Sequence, residues 1–210
     1  MKIAILGSGS VGSTLGRSWA AKGHEIVFGV RDPKAPRAQD ALRSAGGKAR
    51  AASLKDAVAG AEVVVLATPY EAVADAIHAA GALAGKIVID ATNPLKPDVS
   101  ELALGHTTSA AETIAVLARG AKVVKCFNTI GSEHMGHPKV AGQNATMFFC
   151  GDDQGSKRTV EKLAAELGFD PVDAGPLRQA RLLEPLAMLW ISLAYQQRLG
   201  TGIAFKLLRG

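Results

Sequence analysis

Short, wholly apolar stretches alternate with alanine-rich stretches along most of the chain, and this alternation is the strongest constraint on its fold. The apolar stretches show no period-two pattern, so the strands they form should be buried on both faces, as in a parallel sheet covered by helices. We predict strands at residues 2–6, 25–30, 47–51, 62–67, 86–90, 122–127, 146–151 and 169–173. We predict helices at residues 10–22, 35–44, 54–59, 71–80 and 110–118, another that ends near residue 167, and a last, apolar one at 177–197.

The order of these elements predicts an α/β fold: a Rossmann-type, doubly wound, mainly parallel sheet followed by a short C-terminal helical extension. The chain has 210 residues, of which 48% are hydrophobic and 20% are charged, and this suits one globular domain. We therefore expect residues 1–210 to form a single domain, in which residues 175–210 are the C-terminal helical segment.

The sequence shows no targeting pattern and no nucleic-acid-binding module. Neither a signal-peptide pattern nor an apolar stretch long enough to span a bilayer is present, so we expect a cytoplasmic protein without a membrane partner. The net charge of +5 comes from scattered lysines and arginines without interleaved aromatic residues, which argues against a nucleic-acid partner. Cys126 and Cys150 lie in apolar runs and are expected to be reduced core thiols.

A G-x-G-x-x-G motif lies directly between the first predicted strand and the first predicted helix. It consists of Gly7, Ser8, Gly9, Ser10, Val11 and Gly12. In that position the glycines allow a tight turn, close approach of the backbone to a pyrophosphate, and helix–strand packing. The phosphates would meet the free N–H groups at the helix N-terminus. The motif therefore predicts a dinucleotide site, and the alternative is a glycine-rich turn with no ligand.

The end of the second predicted strand favours NADP(H) over NAD(H). Arg31 and Lys34, with Arg37 as a further candidate, supply cations suited to a 2′-phosphate. Asp32 lies about 20 residues past the glycines, where NAD enzymes carry an acid. However, the pair formed by Asp32 and Pro33 is typical of a helix N-cap followed by proline at the first helical position. NAD(H) remains the alternative.

Small, amide and proline residues follow three more predicted strands. They are Ala67, Thr68 and Pro69 after one strand, Thr92, Asn93 and Pro94 after the next, and Asn128, Thr129 and Ile130 after the third. Ligands of open α/β sheets bind beyond the carboxyl ends of the strands, so three such ends favour a site. The alternative for each is ordinary turn chemistry, for which Thr-Pro and Asn-Pro are also typical.

No side-chain constellation for acid–base or metal chemistry stands out. Tyr70 and Tyr195 lack the lysine of a Tyr-x-x-x-Lys pair. His134 and His137 lack a third metal ligand, so no metal is expected. The other histidines are expected at the surface: His24, His78 and His106.

Seven segments of the chain, taken together, resemble a known family. They are GSGSVG, GVRDPK, ATPYEAV, DATNP, KCFNTI, FCGDD and the late DAGPLRQARLLEPLAMLW, which contains Arg181 and Glu184 and is the most distinctive. In these segments the chain resembles the F420-dependent NADP oxidoreductases, and it is similar to the NADPH-binding domain of the six-transmembrane metalloreductases. The resemblance implies a Rossmann enzyme that passes hydride between NADPH and the deazaflavin F420.

The resemblance also implies roles for particular residues. Residues 7–12 would hold the pyrophosphate, and Arg31 and Lys34 would hold the 2′-phosphate. Thr68, Pro69 and Asn93 would line the ribose and the nicotinamide at the strand ends. Ala67, which precedes Thr68, would belong to the same cofactor site. The hydride-transfer face would be formed by Asn128 and Ile130.

The chain differs from the family pattern at a few positions. Val30 stands where the basic turn commonly has serine, and Asn128 stands where archaeal F420 enzymes have histidine. Those enzymes also carry hydroxyl residues near Pro185 and Ala187. The differences at Asn128, Pro185 and Ala187 concern the hydride acceptor and not NADPH.

We therefore expect an NADP-dependent oxidoreductase that transfers hydride between NADP(H) and F420 or a flavin, rings that need little side-chain acid–base help. The alternatives are an imine or carbonyl reductase and a non-catalytic NADPH sensor. We also expect a homodimer through the apolar segment from Leu182 to Phe205, unless that segment packs within its own domain.

Overall fold

A computed structural model describes all residues, 1–210, and every predicted strand is present in it. The strands are β1 (Lys2–Leu6), β2 (Glu25–Gly29), β3 (Ala49–Ala52), β4 (Val63–Leu66), β5 (Ile87–Asp90), β6 (Lys122–Lys125), β7 (Lys139–Val140), β8 (Gln143–Asn144), β9 (Thr146–Gly151) and β10 (Asp170–Asp173). Only β7 and β8, which pair as a short antiparallel hairpin, were not predicted.

The other eight strands form one sheet in the order β10-β9-β6-β5-β4-β1-β2-β3. All pairs among β1 to β6 are parallel, and β10 is parallel to β9. The single antiparallel pair joins β6 to β9. The chain turns from β3-β2-β1 to β4-β5-β6 at the boundary of β1 and β4, and such a switch point opens a crevice at the carboxyl ends. The predicted doubly wound, mainly parallel sheet is confirmed.

The helices lie on both faces of the sheet, as predicted. They are α1 (Ser10–Ala21), α2 (Pro36–Ala45), α3 (Leu54–Val58), α4 (Val73–Ala80), α5 (Ala110–Leu117), α6 (Gln154–Glu166) and α7 (Ala180–Ile191). Among them, none combines the length and the apolar character that a membrane-spanning segment requires.

The predicted N-cap at Asp32 is wrong. Helix α2 begins at Pro36, with Ala35 as its N-cap, so Pro36 rather than Pro33 occupies the first helical position. The carboxylate of Asp32 accepts the backbone N–H of Lys34 at 2.8 Å and closes a turn before the helix. An Asx turn competes with capping for the same side-chain oxygen, and here the turn prevails because a second proline follows.

The apolar helix predicted at 177–197 is present: a 3-10 turn at Leu177–Gln179 leads into α7. Helix α7 continues as a π-helical turn over Ser192–Gln196, and the helical part of residues 175–210 ends there. Arg198 has φ = 59° and Gly200 has φ = 76°, a left-handed backbone that an α-helix does not accept. Beyond that point the chain returns to the sheet, where the carbonyl of Phe205 accepts the N–H of Thr146 at 3.0 Å.

Two apolar cores cover the two faces of the sheet. Alternate residues of β1 enter different cores: Ile3 and Ile5 pack beneath α1 and α6, whereas Ala4 and Leu6 pack on the other side with residues of α4 and α5. The predicted core thiols are confirmed: Cys126 and Cys150 are buried and free. Burial raises the pKa of Cys126 well above its ordinary value and that of Cys150 to about 12, so neither thiol is reactive at neutral pH.

The prediction that His24 lies at the surface is wrong. It is 8% exposed, and its Nε2 lies 2.8 Å from Oε2 of Glu166 at the end of α6. The helix that covers His24 is distant in the sequence, so the polarity of the neighbouring residues could not predict its burial. His78 and His106 are exposed, as predicted.

Candidate functional site

The outer two glycines of the motif are required by close backbone contacts. Gly7 has φ = 114°, and a Cβ placed there would lie 2.5 Å from the carbonyl oxygen of Ala67. A Cβ on Gly12 would lie 2.2 Å from the carbonyl oxygen of Gly7. No side chain fits at either position, so these two glycines hold the β1–α1 turn tight against the end of β4.

The middle glycine has a different surrounding. A Cβ on Gly9 would meet only the side chain of Arg37, at 3.1 Å from Nη2 and 3.7 Å from Cζ. Gly9 is the N-cap of α1 and offers no side-chain cap. The N–H groups of the first turn, formed by Ser10, Val11 and Gly12, therefore face outward without a capping oxygen. This cradle fits the diphosphate of a dinucleotide.

A crevice of about 580 Å³ opens at the switch point beside this cradle. Seven of the predicted site residues line it: Gly7, Ser8, Gly9, Arg31, Ala67, Thr68 and Pro69. Ala72, Asp75 and Ala76 of the α4 region also line the crevice, and the sequence analysis did not identify them. A second depression, of about 630 Å³, lies by the β7–β8 hairpin, where no parallel strand of the Rossmann order ends.

The rim of the crevice carries unpaired cations. Arg31 and Arg37 both line it, whereas Lys34, expected beside Arg31, is exposed on the turn and does not. None of the ion pairs in the protein involves Arg31, Lys34 or Arg37. Asp32 also lines the crevice, with one carboxylate oxygen held by the N–H of Lys34. The rim is therefore suited to an anion.

At the ends of β5 and β6, two predicted site residues bind each other. Nδ2 of Asn93 donates to the carbonyl of Asn128 at 3.1 Å, and Nδ2 of Asn128 donates to Oδ1 of Asn93 at 3.1 Å. Nδ2 of Asn128 also donates to the carbonyl of Leu183 in α7 at 3.0 Å. With both of its N–H groups used, the orientation of the Asn128 amide is fixed.

Several buried polar atoms at the strand ends have no partner within the protein. Four such side-chain atoms exist, and three of them follow β4 or β6: Oγ1 of Thr68, Oδ1 of Asn128 and Oγ1 of Thr129. Native proteins pair nearly all buried polar atoms, so each of these three atoms is a candidate to bind a polar group from outside the chain. Ile130, by contrast, is 6% exposed and packs in the same core as Phe127.

Phe127 turns the chain between β6 and Asn128. It has φ = 67°, a left-handed conformation that is rare for a bulky residue and costs on the order of 1–3 kcal/mol. The ring is held edge-on by Trp19 at 5.5 Å and Phe169 at 6.1 Å, and the N–H donates to the sulfur of Met147 at 3.2 Å. The core thus stabilises the left-handed turn at Phe127, and this turn directs Asn128 toward Asn93.

A buried ion cluster supports these strand ends. Nζ of Lys125 lies 2.9 Å from Oδ2 of Asp90 and 3.0 Å from Oε1 of Glu184, and all three side chains are 0% exposed. It also donates to the carbonyl of Thr92 at 2.6 Å. Asp90 and Lys125 are paired in register between β5 and β6, and each is the charged last residue of its strand. That pattern was the available sign of the cluster, which sequence reasoning missed.

Glu184 connects this cluster to two helices. Its carboxylate accepts the N–H groups of Ala110 and Ala111, at 3.0 and 3.2 Å, and so caps α5 from α7. Burial raises the pKa of Glu184, although Lys125 opposes the shift. Burial alone would lower the pKa of Lys125, but the two carboxylates outweigh it and raise that pKa. Two carboxylates share one ammonium, so Lys125 stays charged and the excess negative charge is eased by the α5 N-terminus.

A second contact fastens α7 to α5. The guanidinium of Arg181 binds both carboxylate oxygens of Glu112, through Nε at 2.9 Å and Nη2 at 2.7 Å. These hydrogen bonds hold the pKa of Glu112 below its ordinary value. The late segment that is most distinctive in the sequence therefore positions α7, and with it the carbonyl of Leu183 that fixes Asn128.

Comparison with known proteins identifies the family of the chain. The family model described as "NADP oxidoreductase coenzyme F420-dependent" matches residues 2–94. The crystal structure of a putative F420-dependent NADP-reductase from Arthrobacter sp. FB24 is 36% identical, with a TM-score of 0.91 over 100% of both chains.

This chain covers very different shares of two curated relatives. The F420-dependent NADP reductase of Methanothermobacter thermautotrophicus is 28% identical over 94% of this chain and 91% of that protein. Metalloreductase STEAP3 of Rattus norvegicus is 34% identical over 90% of this chain, but the chain spans only 37% of that protein.

Proposed function

The chain belongs to the F420-dependent NADP oxidoreductase family, and we propose that it transfers hydride between NADP(H) at the switch-point crevice and a deazaflavin or flavin ring at the β5 and β6 ends. The observation that carries this proposal is the cradle at Gly9. There an uncapped helix N-terminus faces the side chain of Arg37. Arg31, which like Arg37 has no carboxylate partner, lines the same crevice at the ends of β2 and β4.

The chain's own residues would hold the dinucleotide along this crevice. The N–H groups of the first turn of α1 would bind the diphosphate. Arg31, two residues after the end of β2, would bind the 2′-phosphate as a planar fork, with Lys34 reaching it from the exposed turn. The small side chains of Ala67, Thr68 and Pro69 leave room for the ribose at the end of β4.

On the other side of the switch point, Asn93 and Asn128 would border the reacting rings. NADPH supplies a hydride, and the acceptor gains that hydride together with one proton from solvent, leaving NADP⁺ and the reduced acceptor. The amide pair holds a fixed orientation, and Oδ1 of Asn128 is available to accept one further hydrogen bond. The contribution of these residues to the rate would be orientation and exclusion of water.

The test is an anaerobic NADPH-oxidation screen with F420, FMN, FAD, a ferric chelate, a quinone and a cyclic imine as acceptors. We expect oxidation with a deazaflavin or flavin, and none in the Gly9→Val variant, whose fold is checked by circular dichroism. Oxidation with the imine alone would instead identify an imine reductase. Tight NADPH binding without oxidation by any acceptor would identify a sensor and contradict the proposal.

We also propose that the protein is a homodimer through α7 and the turn after it. Leu182, Leu189, Tyr195 and Leu199 are at least half exposed, between 50% and 64%, and a two-fold partner is the commonest cover for such a surface. Leu183, by contrast, packs in the chain's own core, and the backbone carbonyl of Phe205 accepts the N–H of Thr146, so the proposed surface is narrower than the segment from Leu182 to Phe205. Light scattering should give a dimer for the wild type and a folded monomer for Leu189→Glu. A monomeric wild type would contradict this proposal.

A further inference from the structure

The side chain of Arg37 reaches across from α2 to the glycine loop. A Cβ placed on Gly9 would lie 3.1 Å from Nη2 and 3.7 Å from Cζ, so the guanidinium stands directly in front of the α1 N-cap. Arg37 is the second residue of α2, whereas Arg31 lies two residues after the end of β2. Both arginines line the same crevice, but only Arg37 is placed against the glycine loop.

This arrangement brings two positive charges together without an anion between them. The N-terminus of a helix carries about half a positive charge, and here no side chain caps it. The guanidinium of Arg37 forms no ion pair and no hydrogen bond. The nearest acids in the sequence have other partners: Asp32 binds the N–H of Lys34, and Asp40 binds Arg43. A phosphate group between Arg37 and the helix would satisfy both charges at once.

We propose that Arg37 binds the 5′-diphosphate bridge of the dinucleotide, sharing it with the N–H groups of α1, and leaves the 2′-phosphate to Arg31. This inference rests on the proposed NADP(H) site. It assigns the two arginines different tasks: Arg31 distinguishes NADPH from NADH, whereas Arg37 binds a group that both dinucleotides carry.

The assignment is tested by titrating NADPH and NADH into the wild type and into two matched variants, Arg37→Gln and Arg31→Gln. One charge-assisted contact corresponds to about a tenfold change in affinity. We expect Arg37→Gln to weaken both dinucleotides by the same factor, about tenfold, so that the NADPH-to-NADH preference is unchanged. Arg31→Gln should weaken NADPH alone and reduce that preference by about the same factor.

The thermal unfolding temperature and a third variant, Arg37→Lys, serve as controls. Both arginines are exposed, so neither variant should alter the thermal unfolding temperature. Arg37→Lys, which keeps the charge but loses the planar fork, should bind both dinucleotides with intermediate affinity. A selective loss of NADPH in Arg37→Gln, or unchanged binding of both dinucleotides, would overturn the inference and leave the proposed site intact. A wild type that binds neither dinucleotide would contradict the proposed function itself, and the inference with it.

Discussion

At the ends of β2 and β4 the charges of the site are exposed and unpaired, whereas at the ends of β5 and β6 they are buried and paired. Arg31 and Arg37 line an open crevice and have no acidic partner. Lys125 and Glu184 are fully buried and bind each other at 3.0 Å. In the open half of the site, at the ends of β2 and β4, the charges are free to bind a ligand. In the buried half, at the ends of β5 and β6, the charges stabilise the packing of the strands and helices. Substitutions should accordingly affect binding in one half and stability in the other.

The largest effect is expected in the buried half. Lys125→Met would leave the carboxylates of Asp90 and Glu184 buried without their counter-ion, and breaking such a cluster costs about 3–5 kcal/mol. Urea unfolding should show this loss in the free energy of unfolding, or the variant should fail to fold. Arg31→Met in the open half is the matched control and should change stability by less than about 0.5 kcal/mol. If the two variants were equally stable, the claim that only the buried charges stabilise the fold would be contradicted.

The glycine loop gives the next largest effect, and this one concerns binding. Gly9→Val should weaken NADPH by at least about 100-fold, or about 3 kcal/mol, while the protein stays folded, because only the flexible Arg37 side chain opposes the new group. Gly12→Ala should instead destabilise the fold, since its Cβ would lie 2.2 Å from the carbonyl oxygen of Gly7. Binding titrations with circular dichroism separate the two. Full NADPH affinity in a folded Gly9→Val would reduce the motif to a plain turn.

Asn128 tests whether the buried half takes part in the reaction. In Asn128→Ala we expect the single-turnover rate of hydride transfer to fall by about 10- to 100-fold, since the group that orients the rings is lost. The affinity for 2′,5′-ADP, which probes only the open half, should stay the same. Stability should fall by about 1–3 kcal/mol because Asn93 and Leu183 lose a donor. An unchanged transfer rate would place the reaction elsewhere.

The smallest effect concerns the partly exposed pair of Arg181 and Glu112. The folded state lowers the pKa of Glu112, so the pair stabilises the protein above the pKa that Glu112 has when unfolded. That contribution is lost as pH falls through the lowered pKa. Arg181→Gln should therefore lower the free energy of unfolding slightly at neutral pH, and the difference from wild type should vanish in strong acid. A difference that does not depend on pH would show that packing, and not the ion pair, is the cause.

The open half and the sheet could be predicted from the sequence because their signals are local. The glycine motif, the basic turn and the strand ends are each contained in a few consecutive residues, and the structure places Gly9, Arg31 and Thr68 in one crevice. The N-cap of α2 was misjudged because two prolines, Pro33 and Pro36, competed for the same role.

The buried half could not be predicted in the same way. The ion pair of Lys125 with Glu184 joins β6 to α7, and the capping of α5 by Glu184 spans 74 residues. Such contacts exist only once the elements have packed. The charged residues at the ends of β5 and β6 mark Asp90 and Lys125 as candidates, but they do not identify Glu184 as the partner. The position of Arg37 over Gly9 likewise depends on how α2 lies beside α1.

The central claim is that the open crevice binds NADP(H) through its unpaired cations. The most direct measurement is a titration of the wild-type protein with NADPH and with NADH under the same conditions. The 2′-phosphate should add at least one charge-assisted contact with Arg31, so NADPH should bind at least about tenfold more tightly than NADH. Equal affinities for the two dinucleotides would contradict the account.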